Sequence, residues 1–465
     1  MTRERTEGSV ANVTIAVEGC CHGELPSIYR YIHQLEERNS YKIDLLLVCG
    51  DFQAIRNHSD LECMAVPDKY KALGDFHRPV YYTGELTAPV PTIVIGGNHE
   101  ASNYLWELYH GGWLAPNIYF LGHAGCVQVN GVRIAGASGI FKSHDYVMGR
   151  SERVPYNRGS MRSIYHTREF DIRRLSMLTS PNIFMSHDWP AGIEHFGNFH
   201  SLMRRKPHFR SDSAKGELGS PAHMDLLKNL KPQWWFSAHL HVRFEAEVVH
   251  GTDATPTAPS APTVATNPDE ITIDDEDQIP SKPGPNTGNG SATESTNPDE
   301  ITLDDEEVDV APPPAPSAPP LRTRFLALDK CLPQRQFLEV DQVVDVQTPE
   351  EYAGAPIEIT YDPEWLAITR AFHPLFSTTA VQPLFPPPDE AWQRVKGSYD
   401  WVQANLSKHF DDPKRWLVSD VQKFTAVALG GPVFPVPKGQ QPPFYANPQT
   451  DALCRMLELE NKITR

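Results

Sequence analysis

Cysteine is scarce in this 465-residue chain: seven residues, at Cys20, Cys21, Cys49, Cys63, Cys126, Cys331 and Cys454. The number is odd and the spacing irregular, which argues against a disulfide framework and for a reducing compartment where a special cysteine is a ligand or a nucleophile. Long apolar runs are missing as well. No stretch of about 20 apolar residues occurs, and the opening MTRERTEGSV lacks the apolar core of a signal peptide. The expectation is a soluble, intracellular protein with no membrane partner. Histidine is nearly absent from the second half, 17 of the 19 lying before residue 251, so imidazole chemistry belongs to the first half.

What is abundant is negative charge: 59 acidic against 42 basic residues, a net of −17. Taken whole, that would disfavour a polyanionic partner. The charge is localised, however. Residues 1–250 carry 26 groups of each sign, residues 251–320 carry 1 basic and 15 acidic, and residues 321–465 carry 15 and 18. The middle segment also holds 14 of the 42 prolines and no aromatic residue, so it cannot bury enough apolar surface to offset chain entropy and reads as a disordered insert. Within the neutral first segment, residues 131–210 hold 13 basic and 6 acidic groups, with Tyr156, Tyr165 and Phe209 interleaved. A run of this kind is either a solvated charged face or a surface for phosphates and bases. With 40% hydrophobic residues the chain can build a large core, and its length suits two or three domains.

Five apolar runs in the histidine-rich half each stop at a polar group. Between residues 13 and 50 the chain reads strand, loop, helix, strand, a βαβ unit whose strands end at Cys20-Cys21-His22 and at Cys49-Gly50-Asp51. Three further runs end at Gly97-Asn98-His99-Glu100, at Ser186-His187-Asp188 and at His239-Leu240-His241. A single histidine at a strand end is more often a hydrogen-bonded core or surface group, and a single Gly-Asp is a common turn. Five such blocks, each offering Cys, His, Asp or Asn where open sheets place their sites, point to a metal centre.

The order Cys-x-His, Gly-Asp, Gly-Asn-His-Glu, Ser-His, His-x-His resembles the calcineurin-like metallophosphoesterases. Two departures sharpen the match: Cys20 stands where that family usually has Asp, and the stretch after Asp51, FQAIRN, lacks the usual later Asp. Together with GCCHGEL, GGNHEASNYL, GIFKSHDY, RSIYHTR, SHDWP, LGSPA, FSAHLHVRF and TRFLALDKCLP, the chain resembles the intron lariat debranching enzymes. The resemblance is dense over 13–250 and 321–340, and thinner through YDPEWLAITR and YANPQTDALCRML.

The resemblance implies an α/β layered fold, a two-sheet β-sandwich flanked by helices. Residues 1–250 with 321–340 would form the catalytic core, 251–320 the insert, and 341–465 a mainly helical C-terminal domain, in which Trp365, Trp392, Trp401 and Trp416 mark folded structure. It assigns one divalent ion to Cys20, His22, Asp51 and His241, and a second to Asp51, Asn98, His187 and His239, with Asp51 bridging. The donor set suits Fe(II), Zn or Mn, and the thiol tilts it to Fe(II) or Zn and away from Mg. Strand alternation turns Cys21 away from Cys20. His99 would donate a proton or a hydrogen bond to a departing oxygen, or else orient Asn98. The implied activity is hydrolysis of the 2′–5′ phosphodiester at the branch of an excised intron lariat, with another phosphoester substrate as the alternative. A scaffold without catalysis predicts missing ligands, whereas all seven positions here are competent. Residues from about Gly139 to Arg168 would form a lariat recognition loop, with Lys142, His144, Tyr146, Tyr156, Arg162, Tyr165, His166 and Arg168 as RNA contacts. Such a substrate places the protein in the nucleus, with the cytoplasm as a second location.

The insert contains a repeat, TNPDEITIDDED from Thr266 and TNPDEITLDDEE from Thr296. Each copy sets a β-prone core before an acidic cluster, at 270–276 and 300–306, a pattern that resembles a SUMO-interaction motif and would add a strand to a partner's sheet edge.

Overall fold

The computed structural model describes residues 12–74, 76, 81–251, 321–340, 346–347, 352, 355–428 and 439–463. The two acidic repeats, and with them the SUMO-type reading, lie outside the described residues.

Two sheets face each other. The six-stranded sheet runs Leu338–Glu339, Ile15–Glu18, Leu45–Val48, Thr92–Val94, Ile118–Phe120, Gly112–Ala115, and its four central strands are parallel. The seven-stranded sheet runs Phe244–Val249, Arg322–Ala327, Trp234–Ser237, Ile183–Ser186, Val132–Ala137, Ala124–Val129, Ile359–Tyr361, again parallel at its centre. Strands covered on both faces need apolar side chains at every position, which is why LLLV at 45–48 and WWF at 234–236 read as unbroken runs.

Alternation then divides the residues between layers. Val17, Leu45, Leu47 and Ile93 meet Ile134, Ile183, Met185 and Phe236 between the sheets. Ala16, Leu46 and Val48 turn outward onto the helix Leu25–Asn39, whose Leu25, Ile28, Tyr29 and Ile32 repeat with helical spacing. Phe184 and Trp235 stack with ring centroids 4.2 Å apart on the opposite outer face. Each fully buried side chain of this size contributes about 1.5–3 kcal/mol.

The region after the insert is built into the same body. Arg322–Ala327 inserts between Phe244–Val249 and Trp234–Ser237 in the larger sheet, and Ile359–Tyr361 pairs antiparallel with Ala124–Val129 at its far edge. Asp362 caps the helix Pro363–Phe372 through the Trp365 amide, and its carboxylate also receives Arg133 at 2.7 Å, tying that helix to the sheet. Leu366, Ala367, Val402 and Leu406 join the same apolar cluster as the residues between the sheets. The two sides of the insert therefore form one compact unit, and the boundary expected at 341 is crossed by a shared core. Trp365 and Trp416 are buried, Trp401 lies under the Arg370 guanidinium at 3.9 Å, and Trp392 is exposed. Among the described residues no helix is long and apolar enough to cross a membrane.

Candidate metal centre

All five polar blocks meet at one end of the two sheets. Strands end here because the chain must leave the ladder, and the turns it makes are unusual: His22, Asp51, His239 and His241 all have positive φ, between 47° and 61°. For a residue with a Cβ this conformation costs about 1–3 kcal/mol and persists only where the surroundings over-determine it. They do so here. The His22 amide donates to the Asp51 carbonyl at 2.6 Å, and the His239 amide to Cys20 Sγ at 3.2 Å. Glycine is obligatory beside them. A Cβ at Gly97 would stand 2.2 Å from Asp51 Oδ1, and one at Gly50, where φ is 106°, would stand 2.4 Å from His187 Nδ1.

The Asp51 carboxylate lies between two groups of ligand atoms. Its Oδ1 is 3.4 Å from His187 Nε2, and its Oδ2 is 3.7 Å from His22 Nε2. On one side, donor atoms of Cys20, His22, Asp51 and His241 all lie within 4.8 Å of one another. On the other, His187 Nε2 is 3.1 Å from Asn98 Oδ1, and the His187 and His239 rings are 5.1 Å apart. Cys21 is excluded, its side chain lying in the layer against the helix Leu25–Asn39.

Protonation decides whether these atoms suit a cation. His187 Nδ1 donates to the Cys49 carbonyl at 2.7 Å, so the neutral ring turns the lone pair of Nε2 toward Asp51 Oδ1 and Asn98 Oδ1. Three acceptors converge, with the His99 amide donating to Asp51 Oδ1 alone, an arrangement that favours a positive charge in the middle. Without a metal, that charge is a proton. Burial opposes it, yet the Asp51 carboxylate holds the His187 pKa above its ordinary value, while burial of Asp51 is outweighed by His187, His99 and His22, which keep its carboxyl well below the usual range. Burial and the neighbouring His187 push His239 down to about 3, and burial, His22 and Lys330 push His241 down to about 2. Both are neutral and ready to ligate. Burial and the Asp51 charge raise the Cys20 thiol, so only a bound cation would make it a thiolate. The residues fit a pair of divalent ions.

His99 sits at the mouth. Its amide donates to Asp51 Oδ1 at 2.8 Å, its Nδ1 is 3.6 Å from Asp51 Oδ2, and its side chain is 29% exposed. Two carboxylates that sequence reasoning passed over brace the site from behind. Glu100 accepts the amides of Phe52, Gln53 and Gly97, pinning the second block to the third. Asp188 accepts the Phe141 and Trp189 amides, tying the fourth block to the start of the loop. Both directly follow a predicted ligand or His99, the one signal that could have found them.

The loop Gly139–Arg168 is clasped at its base. Gly139 donates to the Gly96 carbonyl and Thr167 to the Ile140 carbonyl, both at 2.9 Å. Four of its eight predicted RNA contacts are turned inward in this structure. Arg168 is 2% exposed and bonds Glu152 at 2.6 Å as well as the carbonyls of Asp145 and Ser163. His166 is buried with Nδ1 2.6 Å from Asp145 Oδ2. Tyr156 and Tyr165 belong to the apolar core. Isolated buried charges must be paired, and the loop supplies its own partners. Lys142 and Tyr146 remain half-buried, and His144 and Arg162 exposed, together with Arg158, which the sequence reading had not singled out.

Residues 13–243 match the calcineurin-like phosphoesterase family, and residues 320–462 match the C-terminal domain of lariat debranching enzymes. The chain is 40% identical to a lariat debranching enzyme of Danio rerio over 96% of its own length and 66% of that protein. With one of Arabidopsis thaliana the identity is 43% over 78% of this chain and 70% of the relative. With one of Schizosaccharomyces pombe it is 40% over 96% of both chains. With its strand-end ligand set and both family regions in place, the chain belongs to the lariat debranching enzyme family, built on a calcineurin-like phosphoesterase core.

Proposed function

We propose that this protein hydrolyses the 2′–5′ phosphodiester at the branch nucleotide of excised intron lariats, releasing linear RNA with a 5′-phosphate and a free 2′-hydroxyl. The observation that carries this reading is the convergence of metal-ligating side chains on both oxygens of Asp51, beside a loop joined to the same strand ends through Asp188. The similar proteins of Danio rerio, Arabidopsis thaliana and Schizosaccharomyces pombe are lariat debranching enzymes, which supports the same reading.

Cys20, His22, Asp51 and His241 would hold one divalent ion, and Asp51, Asn98, His187 and His239 the other, with Fe(II) or Zn favoured by the thiol and Mn also accommodated. When bound, the ions supply Lewis acidity and offset the negative charge that develops on the phosphoryl group. The chain's own contribution is positional. Asp51 fixes His99 through its main-chain amide, leaving the imidazole at the mouth of the site. From there His99 protonates the 2′-oxygen as its bond to phosphorus breaks and the new bond to a water oxygen forms, the water giving up a proton. Lys142, His144, Tyr146 and Arg162, with Arg158, line the outer loop, where a bulky branched polyanion meets an open surface. The substrate implies nuclear residence.

The test is incubation of the metal-loaded protein with a synthetic 2′–5′ branched RNA, a linear 3′–5′ RNA and a generic phosphate ester. Cleavage of the branched RNA alone is expected. Hydrolysis of the generic ester with untouched branched RNA would sink the reading in favour of another phosphoesterase activity.

A further inference from the structure

The larger sheet fixes what stands on either side of the metal centre. Val132–Ala137, Ile183–Ser186, Trp234–Ser237 and Arg322–Ala327 are parallel neighbours in the order Val132, Ile183, Trp234, Arg322, so their C-terminal ends form a row. From those ends leave, in turn, the loop that begins at Gly139, the ligand His187, the ligands His239 and His241, and Asp329 with Lys330. Phe244–Val249 closes the row in the opposite sense, with Phe244 paired to Ala327, so Arg243 stands at the same edge. Neighbouring strands are about 4.8 Å apart, which sets the two outer members of the row about 19 Å from each other with the histidine ligands between them. The loop occupies one flank of the site, and Arg243 marks the other.

Two short helices build that second flank. Phe199–Arg205 is capped by Asn198, whose side chain accepts the Ser201 amide at 3.0 Å, and Phe209–Lys215 follows it. Leu202, Met203 and Phe209 are buried in the apolar cluster that contains Phe184 and Trp235, which leaves Arg204, Arg205 and Arg210 on the outside. The pair is fastened to the sheet edge at two points. Gly197 forms an antiparallel bridge with Ala246 in the last strand, and Arg205 Nη1 donates to the Arg243 carbonyl at 3.0 Å. Arg243 follows the ligand His241 by two residues, which limits the separation of their Cα atoms to about 7 Å.

The charge on this flank is not neutralised from within. Residues 199–215 hold five basic and one acidic side chain. In and beside the loop, Arg150 and Arg174 are paired with Asp171, and Arg168 with Glu152. Arg243 is likewise committed to Glu245 and Glu339. Among the described residues no carboxylate pairs with Arg204, Arg205 or Arg210. Exposed guanidiniums without an internal partner, on a helix pair fastened two residues from a metal ligand, form a surface for an external polyanion.

We propose that Arg204, Arg205 and Arg210 hold the phosphate backbone of one RNA arm leaving the branch nucleotide, on the flank of the metal centre opposite the loop. The identity of the polyanion rests on the proposed function. A branch nucleotide joins three stretches of backbone, and stretches of like charge leaving one point repel one another. Exits over two basic flanks, with the scissile bond between them, reduce that repulsion and hold the branch over the ligands. Contacts of this kind act through counterion release and are indifferent to base sequence.

The test uses the full-length, metal-loaded protein and a branched RNA with every arm several nucleotides long. In Arg204→Ala with Arg210→Ala, which keeps the Arg205 bond to Arg243, KM is expected to rise about tenfold at low salt with kcat unchanged, and the slope of log K against log salt to fall by about 1.4, the share of two phosphates on a single strand. Each arm is then trimmed in turn to one nucleotide, and the difference between variant and wild type should disappear for one arm only. Arg30→Ala with Arg38→Ala removes the same charge from the helix Leu25–Asn39, on the outer face of the other sheet, and should leave KM at the wild-type value. An unchanged KM and slope in Arg204→Ala with Arg210→Ala, an equal rise in the control pair, or a difference that responds alike to trimming of every arm overturns the second flank and leaves the proposed function standing. Anisotropy of a fluorescent single-stranded RNA keeps the two readings apart. Weaker binding in Arg204→Ala with Arg210→Ala, by a protein that hydrolyses no branched RNA, supports RNA on this flank and overturns the debranching activity.

Discussion

The strand-end site and the loop Gly139–Arg168 lie side by side, use the same charged residue types, and solve opposite problems. Around Asp51, acceptor faces acceptor: His187 Nε2 and Asn98 Oδ1 converge on a carboxylate whose one main-chain donor among the described contacts is the His99 amide. In the loop, Asp145 has His166 and His144, Glu152 has Arg168, and Asp171, just beyond the loop, has Arg150 and Arg174. One region is built to take its cation from outside, and the other carries its own. The first should therefore respond to added metal and the second should not.

Asp51→Asn tests that division most severely, since it removes the charge both groups of ligands share. Hydrolysis of branched RNA should fall far beyond the roughly 10–100-fold typical of residues that merely support ligands, and bound metal, measured by elemental analysis, should be largely lost. In the wild type, added Zn should raise the melting temperature with ligand concentration, as for any ion that binds only the folded chain; in Asp51→Asn that rise should vanish. Retained metal with normal turnover would remove Asp51 from its bridging role.

His99→Ala should lower turnover by about 10²–10⁴-fold, the range for a positioned proton donor, while metal content and the Zn-dependent melting shift stay at wild-type levels. Loss of metal along with activity would instead mark His99 as an orienter of Asn98.

Arg168→Met moves the contrast into the loop. It leaves Glu152 buried without its cation, which should cost about 3–5 kcal/mol in denaturant unfolding, with an undiminished response to Zn. Adding Glu152→Gln should recover part of the loss, because the uncompensated charge is then gone. A melting shift by Zn that disappears in Arg168→Met would mean that the two regions are not separable.

The same contrast governs how much could be read before the fold was known. The convergence of the candidate ligands was legible because each follows an apolar run that must be a buried strand: LLLV before Cys49-Gly50-Asp51, IFMS before His187, WWFS before the His239 pair. A short period and a fixed end place a residue in space. The loop has no such ruler. Arg168 and Arg162 look alike in sequence, yet one is buried against Glu152 and the other exposed, because the fate of Arg168 depends on a carboxylate 16 residues away. Glu100 and Asp188 were hidden for a related reason: bracing roles are expressed through main-chain amides, which carry no residue-type signature. The pairing of the C-terminal region with the core was hidden differently, since Ile359–Tyr361 is only three residues long and its partner strand lies more than 200 residues earlier.

The smallest effect falls on the loop's outer rim, where side chains are left to meet RNA. Lys142 is half-buried, and its charge weakly opposes the burial that raises the Asp188 carboxyl to about 6, so it lies near the strand end that carries His187. A lysine at a phosphate contributes through counterion release, which is independent of base sequence. Lys142→Ala should therefore weaken binding of branched RNA uniformly across sequences and reduce the slope of log K against log salt by about 1, with unfolding stability and metal content unchanged. His144→Ala, at a side chain 87% exposed and bonded only to its neighbour Asp145 among the contacts described, should change the slope less. An unchanged slope in Lys142→Ala would mean that the rim does not touch the phosphates, and the division between a loop that neutralises itself and a site that awaits a cation would extend to the loop's outer surface as well.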